Sequence, residues 1–145
     1  MVEDVNSTDQ RLRFVLRLLI KHPTIDPDWI SDQLRMVPHL SQRAGSERIA
    51  PNGERLPGVY RDSRWGWSRR VEGKREFFDE VAKLVNELTP HREVLSKIAD
   101  DGGCTEIIVH LPGDINIGWS LRWINLKQLG ELKIDLGVEV FPDMK

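Results

Sequence analysis

The spacing of apolar residues along the chain changes period twice. From Gln10 to Ile20, Leu12, Phe14, Leu16 and Leu18 alternate with Arg11, Arg13, Val15 and Arg17. A period of two predicts a strand with one buried face and one arginine-rich face. Leu and Arg also favour helices, but the two-residue spacing decides for the strand. From Gly73 to Leu88 the apolar residues Phe77, Val81, Leu84, Val85 and Leu88 recur at three- and four-residue steps, which predicts an amphipathic helix. From Lys133 to Phe141, Ile134, Leu136, Val138 and Val140 alternate with Asp135, Gly137 and Glu139, the pattern of a last strand.

Between these segments the breakers set the boundaries. Asp26 caps a helix that has Pro27 at its first position and Ile25 and Ile30 as a hydrophobic staple. It is expected to run to about Met36, with Pro38 closing it. Asp26, Asp28 and Asp32 lack the glycine-bearing loop of a calcium site, so capping explains them. Residues 37–64 are rich in Pro and Gly. Pro51-Asn52-Gly53 predicts a turn, with Ile49-Ala50 and Glu54-Arg55-Leu56 as the arms of a small hairpin. Val59 to Val71 reads as the second strand, with Trp65 and Trp67 on one side. Thr89 is expected to cap a further helical segment beginning at Pro90 and ending at Asp100-Asp101-Gly102-Gly103. Cys104 to Leu111 is a strand. Ile115, Ile117, Trp119, Leu121 and Trp123 predict a strand paired to it in a hairpin across Pro112-Gly113-Asp114. Asn125 is expected to cap a short helix over Leu126 to Leu129, stopped by Gly130. The fold class that follows is α+β: a mostly antiparallel four- to five-stranded sheet with helices packed on one face, ferredoxin-like in style.

Composition narrows the classes. A chain of 145 residues is expected to form one α+β domain over residues 10–145, with a frayed tail at 1–9. No apolar run is long enough to cross a bilayer; the longest, Phe14 to Ile20, is interrupted by Arg17. The acidic, polar start lacks the features of a secretory signal. A single cysteine excludes an internal disulfide. These features suggest a cytoplasmic protein. The formal net charge of −2 argues against a general polyanion binder. Its distribution is uneven: residues 41–75 carry nine Lys/Arg and four acids, whereas residues 76–145 carry seven basic and thirteen acidic residues. Such charges can simply solvate two faces, or they can give the middle segment a basic surface for a protein partner with an acidic surface.

Candidate chemistry is sparse. There is no phosphate-binding glycine loop and no Gly-x-Ser-x-Gly elbow. The histidines His22, His39, His91 and His110 show no metal-ligand spacing. His110 reads as a surface strand residue. Cys104 follows a helix C-terminus and two aspartates, which oppose a thiolate, so it reads as a small buried residue. No catalytic residue, cofactor or metal is assigned. The candidate binding surface is Tyr60, Arg61, Arg64, Trp65, Trp67, Arg69 and Arg70. Aromatics interleaved with arginine serve protein interfaces and single-stranded nucleic acid. The same pattern arises when Trp65 and Trp67 share a buried strand face and the arginines face water. The leading reading is a non-enzymatic protein-binding module without a membrane partner. Single-stranded nucleic-acid binding through residues 60–70, or an enzyme built from dispersed residues such as His110, Asp135 and Glu139, are the alternatives.

The spacing also carries a resemblance. An N-terminal strand precedes Ile25-Asp26-Pro27-Asp28-Trp29-Ile30, and Val37-Pro38 follows a Leu-rich turn. After a Gly-bearing loop come the Trp65-Gly66-Trp67 strand, the helix to Leu88-Thr89-Pro90, and Leu129-Gly130-Glu131-Leu132 before the last strand. Over residues 10–141 the chain resembles a family of small bacterial α+β proteins classed only as a domain of unknown function. That family's last strand tends to end in Asp-x-Tyr, where Phe141 stands here. The resemblance implies no activity and no functional residue. Some relatives look like members of toxin–immunity gene sets, so it implies an immunity-type binding role as one expectation.

Overall fold

The computed structural model describes residues 13–72, 77–113 and 118–141. The tail expected at 1–9 lies outside them. The central element is β1 (Arg13–His22), whose alternate residues Phe14, Leu16, Leu18 and Ile20 are all buried. Each such side chain contributes about 1.5–3 kcal/mol on burial. β1 has a neighbour on both sides: β5 (Ser63–Glu72) and β6 (Cys104–Pro112), both antiparallel to it. β2 (Leu40–Gln42) extends the sheet beyond β5, and β7 (Ile134–Phe141) lies beside β6. The five-stranded order is β2-β5-β1-β6-β7. All pairs are antiparallel except β6–β7, which is parallel, so the sheet is mixed but mostly antiparallel. A separate two-stranded ribbon joins β3 (Glu47–Ile49) to β4 (Arg55–Val59).

α1 (Pro27–Leu34) begins as its sequence dictates: the Asp26 carboxylate accepts from the Asp28 amide at 3.0 Å. It ends at Leu34, before the expected Met36, because Arg35 turns left-handed at φ 56° and its amide returns to the Ser31 carbonyl. α2 (Phe77–Leu88) buries Phe77, Val81, Leu84, Val85 and Leu88, the stripe read from the spacing. A 3₁₀ turn (Thr89–His91) leads into α3 (Arg92–Asp100). The expected Thr89 cap is absent; its hydroxyl donates back to the Val85 carbonyl at 2.9 Å, so it serves the helix before it. One core cluster joins Ile30 and Leu34 of α1, the α2 stripe, Leu95 and Ile98 of α3, and the buried residues of β1, β5 and β6.

The expected hairpin partner of β6 does not form where it is described. Residues 118–122 are not a strand, and Trp123 opens α4 (Trp123–Leu132); Ile115 and Ile117 lie outside the described residues. The reason is topological, since both edges of β6 are already hydrogen-bonded, to β1 and to β7. The α4 boundaries differ too. Asn125 lies inside the helix and donates to Gln128, and Gly130 does not end it. Lys133, left-handed at φ 59°, does.

A part-buried polar knot locks the end of β1. His22 Nδ1 accepts the amides of Thr24 (3.0 Å) and Ile25 (2.8 Å), which leaves the ring proton on Nε2 for Asp101 at 3.0 Å. This hydrogen bond, with a second from Lys97, holds the Asp101 carboxyl below its ordinary value. It ties the start of α1 to the end of α3.

Candidate functional site

Of the seven residues singled out from 60–70, Tyr60 and Arg61 precede β5, and the five that lie on it are separated by the strand itself. Successive side chains of β5 point to opposite faces. Trp65 is 1% exposed, and its indole Nε1–H donates to Ser31 Oγ at 2.9 Å, so it is a core anchor. Trp67 shares that face and is half-buried. The Arg69 guanidinium lies over its ring, 4.9 Å from the centroid. Neither tryptophan is a free stacking platform of the kind that single-stranded nucleic acid uses. Arg70, exposed, is on the opposite face. Trp67 and Arg69 open instead into a cleft of about 440 Å³ walled by the exit of α1 and the C-terminal part of α2.

Tyr60, Arg61 and Arg64 lie where the β3–β4 ribbon joins the sheet. The ribbon is built locally. The Gly53 amide closes the expected turn onto the Ala50 carbonyl at 2.8 Å, and Gly53 takes φ 92°. The Asn52 side chain accepts the Glu54 amide. Tyr60 fastens the base: its backbone bonds Gly45 and Ser46, and its hydroxyl accepts the Ile49 amide at 3.2 Å. Every residue of β3 and β4 is exposed. Ile49 stands across from Arg55, Leu56 from Arg48, and Val59 from Glu47. Both faces of the ribbon therefore show apolar side chains beside charge.

Its electrostatics are milder than the composition suggests. Arg55 pairs with Glu47, Arg43 with Asp26 at 3.6 Å, and Arg64 with Asp62 at 3.1 Å. Asp62 lies below the ordinary carboxylate value; desolvation pushes it up, but Arg64 and Lys21 together outweigh that. Arg61 has no ion pair among the described residues, and Arg48 spends one N–H on the Pro57 carbonyl. Among the described residues, Arg48 and Arg61 are the cations of the ribbon and its base for which no ion pair is seen.

Of the dispersed trio, the structure brings His110 and Glu139 together and leaves Asp135 apart. In the parallel β6–β7 register His110 stands beside Glu139, and Asp135 beside Glu106. His110 Nδ1 is 3.1 Å from the Glu139 carboxylate, and Phe141 stacks on the ring at 5.3 Å. The expectation of a surface histidine fails: His110 is 8% exposed, because β6 is buried on both faces from Ile107 to Pro112. Cys104 differs in the other sense. It is exposed at the start of β6, beyond the reach of the core.

Burial lowers the His110 pKa; the Glu139 charge opposes this, and Arg17 adds to the lowering. His39, 3.1 Å from Arg17, is lowered by desolvation first and by Arg17 second. A neutral His110 donates from Nδ1 to Glu139 and leaves Nε2 as a buried acceptor with no hydrogen-bond partner among the described residues. Both folded values lie below the ordinary 6.5. The unfolded chain therefore binds more protons in the window just below 6.5, and stability falls as the pH falls through it. The contribution is complete above pH 6.5. Urea midpoints measured from pH 7.5 down to pH 5 should show this decline, and His110→Gln should flatten it. A slope unchanged by His110→Gln removes His110 from the account.

No group of three or more metal-ligating side chains gathers among the described residues. No helix among them is long and apolar enough to cross a membrane. Residues 12–141 match the model of a family described as a domain of unknown function, DUF4279. No curated protein and no solved structure matches the chain.

Proposed function

Since the chain belongs to that family, which has no assigned function, we propose from its geometry that it is a non-enzymatic protein-binding module that uses the β3–β4 ribbon and its base. One observation carries the reading. A two-stranded ribbon leaves both faces open, with Ile49 53%, Leu56 38% and Val59 52% exposed. Isolated two-stranded ribbons are marginal in water, and clustered exposed apolar side chains mark interaction surfaces. A partner that covers Ile49 or Val59 and offers carboxylates to Arg48 and Arg61 would complete the element. Tyr60 and arginine are the residue types that dominate binding energy at such contacts. The partner implied is a protein with an apolar centre and an acidic rim. An immunity-type role, in which that partner is a toxin, rests on the family resemblance alone.

The test is partner recovery from an extract of the source cells. Ile49→Ser with Val59→Ser should leave the fold intact, because neither residue belongs to the core cluster, and should lower recovery of a wild-type-specific partner at least tenfold. Arg48→Glu with Arg61→Glu should lower it further at low salt than at high salt. Recovery equal to wild type in both double variants overturns the assignment of the ribbon.

A further inference from the structure

We propose that the cleft between α1, β5 and α2 binds a small amphipathic carboxylate, a molecule with an apolar body and a single carboxylate head. It is separate from the ribbon and does not depend on the ribbon's role. The cleft holds about 440 Å³, within the size of ordinary small-ligand sites, roughly 300–1,000 Å³.

Its floor is apolar and fixed. Trp67 supplies a flat half-buried ring, and Leu84 and Leu88 are fully buried residues of α2 that border the same space. Its outer wall comes from the α1 exit. The left-handed turn at Arg35 carries the chain into Met36 and Val37 along the cleft. Val37 is 85% exposed, an apolar side chain that borders a concave space with nothing over it. The apolar body of a ligand would cover Val37 and lie against the half-buried Trp67, beside the Arg69 guanidinium.

The charge around this floor selects the head group. Arg35, Arg69 and His91 border the cleft, against the carboxylate of Glu87. Arg35 has no ion pair among the described residues. Arg69 is anchored but not saturated: its terminal nitrogens stand 3.6 Å from Glu80 and 3.6 Å from Glu87. Those are ion-pair distances, longer than hydrogen bonds to a carboxylate, which run about 2.7–2.9 Å. The guanidinium carbon lies 4.9 Å from the centroid of the Trp67 ring, and a guanidinium carries five N–H donors, more than two loose ion pairs engage, so it can still donate to a carboxylate. Glu87 at the same rim and Glu80, 3.6 Å from the same guanidinium, both disfavour a dianion such as a phosphate monoester, so a monoanion is the most charge the site can take, with Arg35 as its main counter-charge.

The experiment uses octanoate and 1-naphthoate as probes, with octanamide and 1-naphthamide as neutral counterparts, followed by calorimetry and by the indole N–H resonances of the intact protein. Saturable binding of at least one carboxylate is expected, at least tenfold tighter than its amide. The Trp67 resonance should shift, and that of the exposed Trp123 should not. Arg35→Gly suits the left-handed position, so the fold should persist, and it should weaken binding at least fivefold. Arg69→Lys keeps the charge beside the buried Glu80 but removes the guanidinium, and should weaken binding similarly. The Ile49→Ser, Val59→Ser variant should bind like wild type. Absence of binding by both carboxylates, equal binding of acid and amide, or an undiminished affinity in Arg35→Gly each overturns the proposal.

Discussion

Trp65→Ala is expected to lower folding stability by about 3–5 kcal/mol, the range for emptying a large buried aromatic site. The ring is 1% exposed in the core cluster. It faces the core from β5, opposite Ile20 of β1, and its Nε1–H reaches across to Ser31 on α1 at 2.9 Å. Truncation therefore opens a cavity beside the central strand and also cuts a polar tie between β5 and α1. Two milder changes separate these parts. Trp65→Phe keeps most of the volume and drops the donor. Ser31→Ala keeps the ring and leaves a buried indole N–H without its acceptor, at about 1–3 kcal/mol. Urea denaturation at constant pH measures all three. A loss under about 1 kcal/mol for Trp65→Ala would contradict its role as a core anchor and return it to the binding surface.

Gly103→Ala is expected to cost about 1–3 kcal/mol by overpacking, more than a glycine substitution in an open loop. A Cβ at this position would lie 2.6 Å from the Lys21 carbonyl oxygen and 2.9 Å from that of Ile98. Both are backbone atoms, so no rotamer change relieves the contact. The Ile98 carbonyl also accepts the Gly103 amide at 2.8 Å. Relief would have to move the end of α3 away from β1, where the His22–Asp101 knot holds them. Gly130 is the internal control. It lies inside α4 with nothing within 4 Å of an added Cβ, so Gly130→Ala should raise stability by about 0.5–1 kcal/mol through helix propensity. Equal thermal midpoints for Gly103→Ala and wild type would show that the close approach is not maintained in solution.

Much of the fold was legible because local rules decide it. The alternation around Leu16, the step pattern around Leu84 and the cap at Asp26 each act within a few residues, and each element appears where that rule places it. The candidate site was only partly legible. Arginine and tryptophan were adjacent in sequence, but strand geometry sends Trp65 into the core, Arg70 to the other face, and Trp67 with Arg69 into a cleft. The cleft itself had no signal. Arg35, His91 and Glu87 belong to three elements and meet only because α1 and α2 pack beside β5. The ribbon was visible in Pro51-Asn52-Gly53, whereas the neutralisation of Arg64 by Asp62 and of Arg43 by Asp26 was not.

The misreadings share a cause. Ile115 to Trp123 shows the alternation of a strand, yet residues 118–122 form none and Trp123 starts α4, because β6 already has partners on both sides. His110 alternates as a surface position, yet β6 lies between two strands and is covered on both faces. Cys104 looks like a small buried residue, yet it stands at a strand start beyond the core. By itself the sequence determined the mixed α and β character, the position of most elements, the turn of the ribbon and the identity of the core stripes, since these follow from period, caps and breakers. Only the tertiary structure decided the strand order β2-β5-β1-β6-β7, the parallel β6–β7 pair, and which charged groups pair with one another. Those depend on which edges are still open and which groups meet across elements, and neither quantity is contained in any one stretch of the chain.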